Sequence, residues 1–232
     1  MQIHNELISS LMAALAQDGD INLHAYPIHI SYKDNLRLEG EVANIIVKRK
    51  ARRIALQLSG LSNIEDHLHL RPGEHRHDKE LLDATVNALS QEPAFRYMRV
   101  YTGLAVKPED PQWISVTAEG CVVRIDGQVN SLSHRRLAEV ISWWVPGTCN
   151  VHNHLRVHPP EQDSDDEISD AIRLILEKDP LLHAESISAN THARVVTLKG
   201  YVHSKEQGRM AVYDCWYVPG VHDVKDNLRL LQ

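Results

Sequence analysis

Two pairs of histidines have the spacing of metal ligands on a strand. His67 and His69 alternate along one predicted strand, and His152 and His154 alternate along another. Alternate residues of a strand face the same side, so each pair presents two imidazoles together. Paired imidazoles can bind Zn, Cu or Ni. No cysteine lies next to either pair and no four-ligand spacing is present. Two interpretations therefore remain: the pairs bind a divalent metal, or they are ordinary histidines that contact solvent or a neighbouring strand.

The sequence contains none of the short motifs that mark common catalytic sites. A P-loop, a GxSxG nucleophile turn and an HExxH zinc motif are all absent. Ser133 and His134 are neighbours, and Cys149 lies close to His152. A nucleophile and a base also need a third group that orients them, and nothing in the sequence points to one. We expect a protein without enzymatic activity and without a resident cofactor other than a divalent metal.

A predicted amphipathic helix near residues 47–58 carries five cations within six positions. The cations are Lys48, Arg49, Lys50, Arg52 and Arg53, and the apolar stripe is Val47, Ala51, Ile54, Ala55 and Leu58. Such a helix could bind anionic phospholipid headgroups, each cation near the surface contributing up to ~1 kcal/mol. The alternative is a solvated face. Nucleic acid is not favoured, because no aromatic residues interleave the basic run.

Two tryptophans occupy matched positions in two further predicted helices. Trp143 and Trp216 each lie 16 residues after a glycine, and the helical period turns both largely away from the core. Trp144 and Tyr217 flank the core stripe. Exposed aromatic groups usually mark contact surfaces. Packing between parts of this chain, a partner protein or second copy, and a membrane interface are the three explanations.

These residues belong to a repeat that occurs three times. Each copy contains the pattern apolar-x-Gly-x-Val, at 38–42, 125–129 and 198–202. A second glycine follows the first after 20 residues in every copy. An arginine follows the first glycine after 9 residues, as Arg49, Arg136 and Arg209. Agreement at many fixed offsets without a gap indicates three tandem copies of one fold.

Each copy is predicted to have the element order α-β-β-α-β. Apolar residues recur at helical spacing at the start of each copy, as in Leu11 and Leu15. Asp78 is the expected N-cap of the first helix in the second copy, and Ser164 with Glu167 has the spacing of a capping box in the third. The first glycine lies where two strands meet, which predicts a bulge or a close backbone approach.

The copies are expected to form domains at residues 1–72, 73–160 and 161–232. Proline-containing linkers separate them. The second copy is longer than the third, and its surplus falls near residues 103–115. We expect this insertion to be a surface loop or an extra strand.

The composition is that of a folded, soluble protein, with 43% hydrophobic and 24% charged residues. The net charge is −6, and most of the negative charge falls in the third copy. The chain also has 15 histidines. Mild acid would protonate them and make the first two copies cationic, so the charge of their surface is expected to depend on pH.

The cysteines and the N-terminus bear on the cellular compartment. Cys121, Cys149 and Cys215 are widely spaced and form no CxxC pair or evident disulfide framework, which favours a reducing compartment. The N-terminus lacks a basic region followed by an unbroken apolar run, and no stretch approaches ~20 apolar residues. We expect a cytoplasmic protein, or a periplasmic one if a signal has been removed.

The repeat resembles the BON domain family. The segment Val-Pro-Gly-Val-His-Asp-Val-Lys-Asp-Asn-Leu-Arg-Leu at residues 218–230 and Thr-Leu-Lys-Gly-Tyr-Val at 197–202 fit the family pattern closely. The resemblance covers nearly the whole chain and implies a small mixed three-stranded sheet with two helices on one face. It also implies a non-enzymatic role at phospholipid or envelope surfaces, in stress and osmotic responses, in ion binding or in secretion-pore assembly. Because no signal peptide is recognised in it, the sequence is most similar in organisation to the bacterial family members that have three copies and no signal peptide.

The combined expectation is an α+β protein of three tandem αββαβ domains that acts as a binding or scaffold protein. Protein partners, self-association or docking to an anionic phospholipid surface are the expected contacts. A His-rich metal- or ion-binding module and a homo-oligomeric structural protein are the alternatives.

Overall fold

The computed structural model describes residues 2–103 and 109–231, with side chains from residue 4 onwards. The chain divides into two compact units, Met1–Arg71 and Pro72–Gln232. The first unit holds the first repeat, and the second unit holds the other two. The boundary predicted near residue 160 falls inside the second unit and stays a prediction.

The first repeat packs two helices on a three-stranded sheet. Its elements are α1 (Gln2–Gln17), β1 (His29–Tyr32), β2 (Leu36–Val42), α2 (Ile45–Ser59) and β3 (Glu65–Leu70). The sheet order is β1-β2-β3, with an antiparallel first pair and a parallel second pair. Leu11 and Leu15 of α1 pack with Leu38, Ala51 and Leu68, all fully buried, so the apolar helical stripe faces the sheet as expected.

The second repeat has the same order with one extra strand. Its elements are α3 (Asp78–Gln91), β4 (Arg99–Thr102), β5 (Trp113–Glu119), β6 (Val122–Val129), α4 (Leu132–Trp144) and β7 (Asn150–Val157). The sheet order is β4-β5-β6-β7, and β4 adds in parallel to β5. The extra strand lies just before the insertion predicted at 103–115, and positions 104–108 of that insertion lie outside the described residues.

The third repeat returns to three strands. Its elements are α5 (Asp165–Lys178), β8 (Ile187–His192), β9 (Val195–Val202), α6 (Lys205–Tyr217) and β10 (Asp223–Leu230). The order β10-β9-β8 again combines one antiparallel and one parallel pair. The expected α+β class and the αββαβ order are confirmed, and the sheets are mixed because a helix connects the parallel strands.

Helix caps follow the polar residues that precede each second helix. The side chains of Asn44, Ser131 and Ser204 accept hydrogen bonds from backbone amides three residues later, which satisfies donors in the first helical turn. Ser164 caps α5 in the same way, as expected. The N-cap of α3 is His77, so the expectation for Asp78 is wrong. Asp78 instead accepts a hydrogen bond from the Gly120 amide at 2.9 Å.

The backbone of a preceding segment passes close to the first glycine of each repeat. Gly127 has φ of 146°, a region that residues with a side chain rarely adopt. A Cβ atom there would overlap the carbonyl oxygen of Trp113 on the neighbouring strand. At Gly40 the same atom would lie 2.6 Å from the Pro27 oxygen, and Gly200 would meet the Ser186 oxygen. The glycine of the repeat therefore allows two strands to approach.

Two of the three cysteines form a disulfide, which corrects the expectation from spacing. Cys121 follows β5 and Cys149 precedes β7, and their Cα atoms are 5.2 Å apart. A spacing of 28 residues in sequence hides this proximity, because the turn before β6 and the start of β7 lie side by side. The cysteines therefore no longer favour a reducing compartment. Cys215 is a free and buried thiol.

Among residues 2–103 and 109–231, no helix is both long enough and apolar enough to cross a bilayer.

Candidate binding surfaces

The cations of α2 are largely engaged within the first repeat. Lys48 was expected on the cationic face, but it is only 6% exposed, so this expectation is wrong. Its Nζ atom donates to Asp66 at 2.9 Å and to the Leu68 carbonyl at 2.7 Å. Burial lowers the pKa of Lys48, which the Asp66 carboxylate opposes. Lys48 thus acts as a structural link between α2 and β3.

The remaining members of the basic run also have local contacts or partial burial. Lys50 donates to Asp20 at 2.5 Å and lies near Asp18, and Arg52 donates to Asn63 at 3.2 Å. Arg49 and Arg53 are half-buried. Leu58, assigned to the buried stripe, is 49% exposed. Neutralised or shielded cations bind a lipid surface less strongly than free ones, and a lipid role of α2 stays a prediction.

The two matched tryptophans are buried, which corrects their expected exposure. Trp143 is 6% exposed and Trp216 is 3% exposed. The Trp143 ring lies 6.0 Å from the Tyr217 ring, where α4 packs against α5 and α6. For Trp143, packing between repeats is therefore the correct explanation of the three. Trp144 and Tyr217 remain half-buried and accessible in part.

A buried arginine joins the second and third repeats. Arg136 of α4 is 4% exposed. It donates to the Pro219 carbonyl at 3.1 Å and to Asp163 at 2.5 Å. Asp163 also accepts from Arg194 at 3.0 Å. Partial burial opposes ionisation of Asp163, but hydrogen bonds from both arginines lower its pKa.

The arginine repeat position has three different environments. Arg136 is buried at the junction of two repeats, whereas the Arg209 side chain is 72% exposed and pairs with Glu206. Arg49 is half-buried. The repeated arginine is recognisable in the sequence but its role is not, because that role depends on which surface covers each helix.

The histidine pairs lie on strands as expected, but few other side chains that could bind a metal ion lie beside them. The rings of His152 and His154 stack with centroids 6.3 Å apart, and His154 lies 3.4 Å from Asp126. His67 lies 3.9 Å from Glu65. Over the described part of the chain, no group of three or more His, Cys, Asp or Glu side chains is placed to hold a metal ion. Metal binding by His67, His69, His152 and His154 stays a prediction with two ligands at each pair.

Two histidines are less basic than the sequence analysis assumed. Burial, together with the nearby Lys48 cation, lowers the pKa of His69. Burial also lowers the pKa of His134, although a hydrogen bond with the Ala94 carbonyl opposes the shift. These two residues therefore stay neutral further into mild acid than solvated histidines do, and they contribute less to a pH-dependent surface charge.

A groove with a buried carboxyl group lies where α4, α5 and α6 meet. Its volume is about 430 Å³, and its lining includes Trp144, Asp179, Tyr213, Asp214 and Tyr217. Asp214 is 5% exposed. Burial and then the Asp179 carboxylate raise the pKa of Asp214 to about 8. Burial and then Asp214 raise the pKa of Tyr217 to about 12, so both groups favour their neutral forms near pH 7.

The sequence predicts Tyr217 and Trp144 beside the core but gives no prediction for Asp214. A signal was present, because Asp214 follows Ala211 by three positions and thus falls on the side of the helix that faces the core. An acidic residue at such a position is seldom buried without a reason.

The raised pKa of Asp214 predicts a defined pH dependence of stability. The unfolded carboxyl group titrates near 3.8, so the native state holds an extra proton between that value and about 8. The free energy of unfolding is therefore highest below pH 3.8 and falls as pH rises from there through about 8. We expect Asp214→Asn to unfold like the parent near pH 4 and to be more stable above pH 8 by at least about 1 kcal/mol. Urea unfolding at several pH values measures the free energy of unfolding of both proteins. A difference between parent and variant that is the same at pH 4 and above pH 8 would contradict the raised pKa of Asp214.

The third repeat also carries an exposed apolar edge. Tyr201 is 50% exposed, Leu230 is 47% exposed and Leu231 is 51% exposed. The Leu231 amide donates to the Val202 carbonyl at 2.9 Å, which joins the ends of β9 and β10, and the strand register places Leu230 on the face opposite Tyr201. Leu228 of β10 is half-buried, whereas its counterparts Leu68 and Leu155 are buried. The last strand of the third repeat is thus less covered than the other two.

Comparisons with known proteins identify the repeat. The BON domain model matches residues 5–72, 105–159 and 164–232. No curated protein matches the chain.

Two solved structures of a Chlamydia trachomatis protein are similar over most of the chain. One is "CdsD - The structural protein of the Type III secretion system of Chlamydia trachomatis: C-terminal domain", at 16% identity, with 90% of this chain and 93% of that chain covered and a TM-score of 0.27. The other, from structural studies of CdsD, has 16% identity, covers 97% and 92% of the two chains and has a TM-score of 0.26. Because the three matched segments span most of the sequence and lie in repeats with the expected αββαβ order, with one extra strand in the second, this chain belongs to the BON domain family, as three tandem copies.

Proposed function

We propose that this protein is a non-enzymatic binding scaffold that assembles through protein–protein contacts, first of all between copies of the chain. The observation that carries the proposal is the apolar edge formed by Tyr201, Leu230 and Leu231, each about half exposed. Exposed apolar groups that cluster on a folded surface mark interaction sites. The envelope and stress associations implied by the family resemblance are part of the same proposal.

The geometry of β10 supports a second copy as the occupant. β10 pairs with β9 on one side and is the edge strand of its sheet within the described residues. An edge strand offers backbone donors and acceptors to another strand. Backbone pairing of two β10 strands would join two copies of the chain through this edge.

An anionic phospholipid surface is the alternative partner. The contacts of Lys48, Lys50 and Arg52 with Asp66, Asp20 and Asn63 leave α2 a weaker cationic surface than its composition suggests. Lipid docking is therefore the less favoured form of the binding role.

Light scattering of the purified chain across a concentration range tests the proposal. We expect the mass to rise with concentration above that of a monomer. The double variant Leu230→Ser/Leu231→Ser should remain monomeric, because it removes apolar area at positions that the core does not need. Leu58→Ser is the matched control, since Leu58 is 49% exposed and lies in the first repeat.

The outcomes separate the two forms of binding. Self-association that the Leu58→Ser control retains and the double variant loses supports the proposal. A strict monomer at every concentration overturns it, and so does self-association that the double variant retains. Co-sedimentation with vesicles of anionic phospholipid then tests the alternative. If the parent chain is monomeric and binds the vesicles, lipid docking is the better account of its function.

A further inference from the structure

The groove between α4, α5 and α6 has features of a small-molecule site and is separate from the β10 edge. It is about 430 Å³ in volume, which is within the range of ligand pockets. Its walls come from the end of α4, the turn after α5 and one face of α6. Because these helices pack together, the groove is present without a ligand. Ligand sites of this kind occur preferentially between helices and at the boundaries of structural units.

Asp214 is the polar group that a ligand would satisfy. The residue is 95% buried, because only 5% of its surface is exposed, and it lines the groove. Its Oδ2 atom has no hydrogen-bond partner of good geometry among the described residues, although the carboxyl group as a whole interacts with Asp179 and Trp144. A buried carboxyl oxygen without a donor is costly, so native proteins usually supply one. A donor carried by a ligand would meet this requirement.

The charged groups around the groove favour a cationic ligand. Asp179 at the end of α5 is the second carboxylate in the lining. Lys178 is the cation in the lining, but its Nζ atom lies 2.7 Å from Glu92 and is paired there. Tyr217 from α6 and Trp144 from α4 bring no charge near neutral pH. The groove therefore has an excess of negative charge, which disfavours an anion.

The remaining lining favours an organic cation over a hydrated metal ion. Three aromatic side chains line the groove, and the electron-rich faces of such rings attract ammonium groups. Leu181 and Met210 add apolar surface. No group of three or more His, Cys, Asp or Glu ligands forms a metal cluster among the described residues.

We propose that this groove binds a small organic ammonium ion with an apolar body, with the ammonium group donating to Asp214 and the body lying against Trp144, Tyr213 and Tyr217. A bound cation stabilises the ionised carboxylate, so a proton leaves Asp214 for solvent when the cation binds. The raised pKa of Asp214 then makes binding tighter with increasing pH, by up to about tenfold per unit below pH 8.

Calorimetric titration with phenethylamine tests the site in the full chain. 2-Phenylethanol serves as the neutral analogue and 3-phenylpropionate as the anionic one. We expect phenethylamine to bind, the alcohol to bind at least about tenfold more weakly because it lacks the charge, and the carboxylate not to bind. Titration at pH 6 in two buffers of different ionisation enthalpy should show proton release.

Two variants locate the binding. Asp214→Asn keeps the size of the side chain but cannot ionise, is expected to fold, and should weaken phenethylamine binding at least about tenfold. Asp166→Asn is the matched control, because Asp166 is an exposed acid on α5 away from the groove. Phenethylamine that does not bind at any pH from 6 to 9, or that binds Asp214→Asn as tightly as the parent, overturns the proposal. Equal binding of the neutral alcohol also overturns it. The result is independent of self-association through β10.

Discussion

Gly127→Ala is expected to lower the free energy of unfolding of the Pro72–Gln232 unit by about 3–4 kcal/mol. Two effects add. The backbone of Gly127 has φ of 146°, which an alanine adopts only under strain. The new Cβ atom would also overlap the Trp113 carbonyl oxygen on β5, which lies in the middle of the sheet and cannot move freely. Relief of the overlap must disturb the β5–β6 pairing.

Urea unfolding followed by tryptophan fluorescence and circular dichroism measures this loss. Gly73→Ala is the matched control in the same unit, because a Cβ atom there meets nothing within 4 Å and the backbone is unstrained. The control should shift the free energy of unfolding by no more than about 0.5 kcal/mol. Equal unfolding midpoints for Gly127→Ala and Gly73→Ala would show that the close approach of β5 and β6 is not a structural requirement.

Arg136→Ala is expected to lower the free energy of unfolding of the same unit by about 2–3 kcal/mol. The change removes two hydrogen bonds that connect α4 to Pro219 and Asp163, and it leaves a void at a site that is 4% exposed. The loss is smaller than for a fully buried ion pair, because Asp163 is partly exposed and keeps Arg194 as a partner. The second and third repeats should then unfold with less cooperativity.

Arg209→Ala provides the matched control, since Arg209 occupies the same position of the repeat in the third copy. Its side chain is 72% exposed and pairs only with Glu206 among the described contacts, so its loss should cost about 0.5 kcal/mol or less. Unfolding curves from circular dichroism compare the two variants. Losses of similar size at both positions would refute a special role for Arg136 at the junction of repeats.

Much of the local structure follows directly from the sequence. The repeated Gly127 and its counterparts predict a bulge or a close backbone approach, and the structure has a close backbone approach in all three copies. Ser164 predicts a helix start, and its side chain caps α5. Leu11 and Leu15 predict a helix face that packs on a sheet, and both are fully buried. These features depend on the residues within one repeat, so the pattern of one repeat is enough to predict them.

Features that depend on contacts between repeats or on distant pairs required the tertiary structure. Helical periodicity shows which side of α4 faces its own sheet, but it does not show that α5 and α6 cover the other side and bury Trp143. The same limit applies to Lys48, whose charge is buried because Asp66 comes from a strand 18 residues later. It also applies to Cys121 and Cys149, which meet across 28 residues.

The sequence by itself therefore determined the three copies, their element order and the family, because these depend on local spacing and backbone preference. Only the tertiary structure decided which side chains are available for binding. It moved the candidate contact surface from the helical tryptophans to the apolar edge at Leu230 and Leu231. It also placed Asp214 in an aromatic groove, because packing of one repeat against the next buries helix faces that a single repeat would leave exposed.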